Sequence, residues 1–230
     1  GYRFARETGH TVTDCMPSLV PLTVSEDYIG EMAGLSLRNV ELTIRNGKKI
    51  LYQDFGEMMF THKGITGPLV LSASSSIGKQ LKKQGTLEGY IDLKPALSSE
   101  QLDERILREF ENAKNKQFKN VIGVLFPSSL TPVIIRLGGI PEDKVIHEIS
   151  REERLNFVSI IKAFPFTIDG LESYSEAVIT KVGISVKEIN PGTMESKKIP
   201  QLYFVGEVLD LDAVTGGYNL QIAWSTGYLA

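Results

Sequence analysis

Cysteine is almost missing from the 230 residues. A lone Cys15 excludes an intramolecular disulfide and leaves no thiolate set for a zinc site, so no metal centre is expected. No histidine or cationic cluster adjoins Cys15 in sequence, which favours an idle thiol over a reactive one. Long apolar runs are also lacking: no stretch approaches the ~20 residues needed to cross a bilayer. No basic-then-apolar leader occurs either, so a cytoplasmic chain with no membrane partner is expected. Charge of one sign is absent in the same way. Lys and Arg total 25, Asp and Glu 28, and the net charge of −3 is scattered along the chain. Without a basic field the expected partner is a small-molecule substrate and not nucleic acid. Nothing in the composition speaks to oligomeric state. Repeats and low-complexity tracts are absent.

What the sequence does contain is a normal core complement, 42% hydrophobic, in a modular order. Tyr2, Phe4 and Ala5 read as the middle of a short helix stopped at Gly9, and a start inside an element points to a fragment, a processed chain or a deliberately cut one. Alternation predicts a strand over 10–13 and an extended segment over 17–24 broken by Pro21. Leu35, Leu37, Val40, Leu42 and Ile44 alternate. Asn46-Gly47 supplies a hairpin turn, and 49–60 forms the return strand. Alternation resumes over 86–93, so 24–95 reads as a small antiparallel sheet or barrel. It carries a glycine-rich loop at 61–68 and a short helix over 69–77 started by Pro68. His62 in that loop is a candidate proton donor or acceptor, against the simpler reading of a tight turn.

From Ser98 the period becomes helical, with Leu102, Ile106 and Phe110 four apart. Further helices are expected over 118–125, 130–137 and 143–164, the last with a capping box at Ser150 and Glu153. His147 has no partner at helical spacing and reads as structural. Strand patterns return over 166–168, 177–180, 184–186 and 202–205. This order fits insertions into one α/β domain better than independent domains.

The most informative stretch is 202–224. An apolar run over 202–205 predicts a buried strand. Glu207, Asp210 and Asp212 follow, and Gly216-Gly217 open a helix whose apolar positions are Leu220, Ala223, Trp224 and Tyr228. A glycine-rich helix start offers free N–H groups and the positive end of a dipole to an anion such as a phosphate. The acids suit hydroxyl donors of a ribose or ribityl chain. An ordinary strand-to-helix turn satisfies the same pattern.

The runs 176–190, 193–198 and 202–224, with 1–5, 9–12, 17–23 and 61–68, resemble the BaiN/aminoacetone-oxidase type of bacterial flavoprotein, and the resemblance covers nearly the whole chain. It implies an α/β (mixed α+β) fold: part of a glutathione-reductase-like FAD domain interrupted by an antiparallel β module and a small helical module. Residues 1–23 and 165–230 would be the partial FAD-binding domain, 24–97 the β module and 98–164 the helical module. By this likeness Gly206, Glu207, Asp210, Gly216, Gly217, Tyr218, Asn219 and Gln221 would contact FAD, with Glu207 on a ribityl hydroxyl. The implied activity is flavin-mediated hydride or electron transfer to or from a small organic substrate, with NAD(P)H as a possible donor. Two positions depart from the pattern: Val182 stands where a first glycine is expected, and Ala213 where glycine is usual. The family's Gly-x-Gly-x-x-Gly unit, which holds the ADP half of FAD, has no counterpart here. A fragment that binds no cofactor and serves as a binding or structural module is the alternative.

Overall fold

A computed structural model describes residues 1–13, 16–181 and 183–230. Cys15 and Val182 lie outside the described residues. The chain is mixed α/β and forms two compact units. The first comprises Gly1–Leu22, Val70–Lys79 and Leu171–Ala230, and the second Thr23–Leu69 and Gln80–Gly170.

In chain order the elements are α1 (Tyr2–Glu7), β1 (Met16–Ser18), β2 (Leu22–Val24), β3 (Ser36–Asn46), β4 (Lys49–Phe60) and β5 (Gly64–Thr66). They continue with α2 (Pro68–Gln84), β6 (Leu87–Asp92), α3 (Ser99–Glu111), α4 (Phe118–Ile122), α5 (Thr131–Gly138) and α6 (Arg151–Lys162). The chain closes with β7 (Phe164–Leu171), β8 (Ile179–Lys181) and α7 (Tyr218–Leu229).

The second unit is built on a closed barrel of order β2-β5-β4-β3-β6-β7. The expected hairpin is its spine: β3 and β4 pair from Ser36↔Met59 to Asn46↔Lys49 across the Asn46-Gly47 turn. Inward residues alternate, as the pleat requires, among them Leu42, Ile44, Met58, Phe60, Leu87 and Ile91. A register shift between Leu37 and Val40 marks a bulge, with Asn39 at φ 56, and it turns both Leu37 and Val40 inward although they are three apart. The strand expected over 166–168 is longer, β7, and it pairs with β6 through Ile91↔Phe164 and Leu87↔Ile168.

The helical insertion sits between those two paired strands. Its core joins Leu102, Ile106 and Phe110 of α3 to Phe118, Val133, Phe157 and Ile161, all buried. Phe110, Phe118 and Phe157 meet edge to face at 6.2 and 5.2 Å. Capping boxes start α3 at Ser98 with Gln101 and α6 at Ser150 with Glu153. Over 143–164 the chain forms a 3-10 turn at Ile146–Glu148 and then α6, which starts only after Ser150, where the cap side chain accepts from Glu153 N–H.

Four expectations in the first unit and in α2 need correction. Among the described residues, 10–13 bridge only through Val12↔Ile184, 184–186 only through Ile184 before turning at Val186–Glu188, and 202–205 only through Glu195↔Tyr203, so none of the three forms a strand. The apolar run 202–205 resolves into buried Phe204 beside exposed Tyr203. The helix predicted over 69–77 continues to Gln84: Gly78 is buried without breaking the helix, and buried Leu81 extends the apolar face.

Candidate cofactor site

The core of the first unit is Ala5, Ile184, Ile189, Met194, Phe204 and Leu209. It fixes the turn that carries Glu207 and Asp210. Ile184 pairs in parallel with Leu209: its N–H donates to Val208 O at 2.8 Å and its carbonyl accepts from Asp210 N at 2.9 Å. Gly183 makes this approach possible, since a Cβ there would stand 2.4 Å from Val208 O. On the other side of the turn, buried Gly206 donates its N–H to Thr226 Oγ1 of α7 at 2.9 Å, and Thr226 donates onward to Ile222 O.

The loop from Asp210 to Gly217 is pinned at three places. Asp212 accepts from Lys181 Nζ at 3.0 Å and from Ser75 Oγ at 2.8 Å. The Asn219 side chain brackets Ala213, accepting from its N–H and donating to its carbonyl, both at 2.9 Å. Thr215 lies 3.2 Å from Ser72. The loop therefore delivers Gly216 (φ 116) and Gly217 (φ 88) in conformations that favour glycine, with Gly217 as the N-cap of α7. No side chain caps α7, and a Cβ built on Gly217 would meet nothing within 4 Å. A Cβ on Gly216 would stand 3.2 Å from the Tyr218 ring, so the room beside the helix start is on the Gly217 side; the uncapped first-turn N–H groups there have the chemistry to receive an anion.

The proposed contacts separate by role. Gly206, Glu207, Asp210, Gly216, Gly217, Tyr218, Asn219 and Gln221 all belong to the first unit, within one turn, one loop and one helix. Glu207 is exposed and its Oε1 accepts from Thr180 N at 2.8 Å, which leaves Oε2 for an outside donor. Asp212 takes its hydroxyl donor from inside the chain, Ser75. Asn219 is spent on Ala213, and Gln221 donates to Ser225 at 3.0 Å. His62 is exposed and belongs to the second unit.

No local sequence pattern marks Lys181, Ser72, Ser75 or Thr226 as part of this site. Each is an ordinary residue whose partner lies far along the chain, except Thr226, whose helical position three after Ala223 hinted at the packed face. The helix itself starts where expected, but its apolar stripe is outward: Trp224 is 67% and Tyr228 91% exposed, while Thr226 is buried.

A second polar lattice holds residues 8–11 to 188–199. His10, buried against Phe204, bonds Thr8 Oγ1 through Nδ1 at 2.9 Å and Ser196 Oγ through Nε2 at 2.6 Å. Ser196 Oγ already accepts from the N–H groups of Lys198 and Ile199, so it donates to His10. Beside it Glu188 accepts from Thr11 N, Thr11 Oγ1 and Lys198 Nζ at 2.9, 2.8 and 2.7 Å. The Lys198 ammonium, followed by the bonds from Thr11, pulls the Glu188 pKa down to about 2.

One unit is a closed antiparallel barrel carrying a helical insertion, and the other ends in a glycine-opened helix; together they define a modular, mixed α/β class of chain. The chain belongs to the family described as HI0933-like protein barrel and H2TH domain, which matches residues 16–179. This is the BaiN-type flavoprotein family expected from the sequence. It is 36% identical over 99% of its length to a Haemophilus influenzae protein named ribosomal RNA dihydrouridine synthase, and 32% identical over 99% to the Escherichia coli protein of that name. It is 30% identical over its whole length to the 3-dehydro-bile acid delta(4,6)-reductase of Clostridium scindens. The chain spans about half the length of these relatives, 54, 54 and 56%. Among the described residues, no helix is long and apolar enough to cross a membrane.

Proposed function

We propose that the longer protein containing this chain is an FAD-dependent oxidoreductase that saturates a carbon–carbon double bond conjugated with a carbonyl. The observation that carries this reading is the uncapped, glycine-opened start of α7, tied to the loop at Ala213 by Asn219 and to the Glu207 turn by the bond from Gly206 N–H to Thr226. The relatives' names share one chemistry. Dihydrouridine arises when the C5–C6 double bond of uracil, conjugated with the C4 carbonyl, takes up a hydride and a proton. A delta(4,6) reduction of a 3-oxo bile acid is the same addition along a longer conjugated system.

The unit formed by Gly1–Leu22, Val70–Lys79 and Leu171–Ala230 is read as the flavin-side part of the FAD-binding domain. FAD, when bound, supplies the hydride transfer, with NAD(P)H as the donor that becomes NAD(P)⁺. The chain's own residues bind and orient it. N–H groups of the first turn of α7 offset negative charge on a phosphate or a reduced ring. Glu207 Oε2 accepts from a ribityl hydroxyl, and the Lys181–Asp212 pair keeps the glycine loop in place. A uridine in RNA is the leading acceptor, because the relatives at 36 and 32% identity carry that name. A small conjugated ketone is the second reading, favoured by the Clostridium scindens relative matched over the whole chain.

The test is a visible spectrum of the purified full-length protein, followed by anaerobic reduction with NAD(P)H and reoxidation by either acceptor. Flavin absorbance and acceptor-dependent reoxidation are expected. A full-length protein that neither carries flavin nor takes up added FAD would overturn the assignment in favour of a cofactor-free module.

A further inference from the structure

A cleft of about 510 Å³ in the second unit is lined by Lys94, Arg105 and Arg108 above an apolar floor that includes Leu102, Leu125 and Phe126. Lys94 is fixed at both ends of its peptide unit. Its N–H donates to Asp92 Oδ1 at 2.9 Å, and its carbonyl accepts from Lys162 Nζ at 3.1 Å. Lys162 is itself held by Asp92 Oδ2 and Leu97 O, both at 2.6 Å. The Lys94 ammonium, by contrast, has no hydrogen-bond acceptor among the described residues and lies 5.6 Å from the Phe126 ring centroid. Burial, and after it the charge of Arg105, lowers the Lys94 pKa. A bound anion would relieve the repulsion.

Arg105 and Arg108 stand three apart on one face of α3. Arg105 shares its charge with Glu109 at 3.0 Å, whereas Arg108 is exposed and has no side-chain partner among the described residues. Glu104 is the single carboxylate in the lining, so the cleft carries excess positive charge. The chain's even overall balance hides this concentration.

We infer that the cleft seats one unpaired nucleotide of an RNA substrate, with its phosphate on Lys94, Arg105 and Arg108 and its base against the apolar floor. This rests on the uridine reading given above. The volume lies in the ~300–1,000 Å³ range of sites that enclose one compact group. A duplex is too broad for it, and RNA is read mainly through unstacked nucleotides that find an apolar or aromatic surface. Guanidinium groups suit the phosphate because their N–H donors match its oxygens in pairs.

The test uses the full-length holoprotein, its Arg105→Gln/Arg108→Gln variant and, as a single-charge control on the same insertion, Arg151→Gln. Both α3 arginines are exposed, and a circular dichroism melt confirms that each variant folds. Fluorescence anisotropy of a labelled, uridine-containing single-stranded RNA is titrated at two salt concentrations, with uridine 5′-monophosphate in a parallel arm. The double variant is expected to bind the RNA about 10-fold more weakly and to lose about one unit of salt slope for each phosphate contact removed, with Arg151→Gln close to wild type. Superimposable curves, equal losses in all variants, no RNA binding by wild type, or loss confined to the mononucleotide would each overturn the proposal. Dihydrouridine formation is assayed separately by mass spectrometry of the RNA. Flavin-loaded wild type that forms none sinks the uridine reading alone, whereas wild-type turnover by the double variant sinks the cleft.

Discussion

Replacing Glu188 by Gln keeps the size of the side chain but removes its charge from a site where Thr11 donates twice and Lys198 once. The Glu188 pKa is depressed from its ordinary 4.5 to about 2, first by the Lys198 bond. A fall of that size corresponds to at most about 3 kcal/mol of differential stabilisation. The side chain is 18% exposed, so screening reduces the figure, and ~1–2 kcal/mol is the working value. The sign follows from the depressed folded-state pKa. The contribution is complete above the unfolded value of 4.5 and disappears as pH falls toward the folded value of about 2. Urea unfolding of both proteins, followed by circular dichroism across that interval, should show Glu188→Gln less stable by ~1–2 kcal/mol near neutrality, with the curves converging in acid. A gap that stays constant from neutral to strongly acidic pH would mean that shape, not charge, holds residues 8–11 to this site. No gap at all would remove the lattice from the stability of the unit.

Two further substitutions probe the turn that carries Glu207. Gly183→Ala forces a methyl to within 2.4 Å of Val208 O, against backbone that cannot rotate aside, and a loss of roughly 2–4 kcal/mol is expected in a thermal melt. An unchanged melting temperature would show that the Gly183 contact with Val208 is loose. Thr226→Val preserves volume but leaves the buried Gly206 N–H without its acceptor, for a cost of about 1–3 kcal/mol and faster hydrogen exchange at Gly206. Wild-type exchange at that amide would contradict the bond's role in holding α7 to the turn.

How much of this was readable in advance depended on the range of the interaction. The Asn46-Gly47 hairpin, the Ser150–Glu153 box and the helix start at Gly217 are decided by neighbours within a few residues, and the sequence displays them. The run 202–205 was ambiguous because four apolar residues satisfy a strand only if a neighbouring strand pairs with them, and here only Tyr203 makes a bridge. The stripe Leu220, Trp224 and Tyr228 obeys helical spacing, yet spacing cannot say which face finds a partner. Lys181 and Asp212 meet through β8 and a distant loop, and no local pattern marks either as half of an ion pair. The glycines of the candidate site were legible because their backbone geometry is a property of the residue itself. The groups that hold that geometry were not.

The direct pairing of Ile91 with Phe164 has a consequence for how the chain was assembled. Everything between β6 and β7, four helices included, leaves and re-enters the barrel at adjacent positions on neighbouring strands. Topologically the insertion is an enlarged hairpin loop. The sheet closes the ring of hydrogen bonds at its base, and closure entropy grows only slowly with loop length. Such a loop is free to gain, lose or recast helices while the barrel register beneath it stays the same. A surface borne by α3 can therefore diverge among relatives faster than the strands that support it.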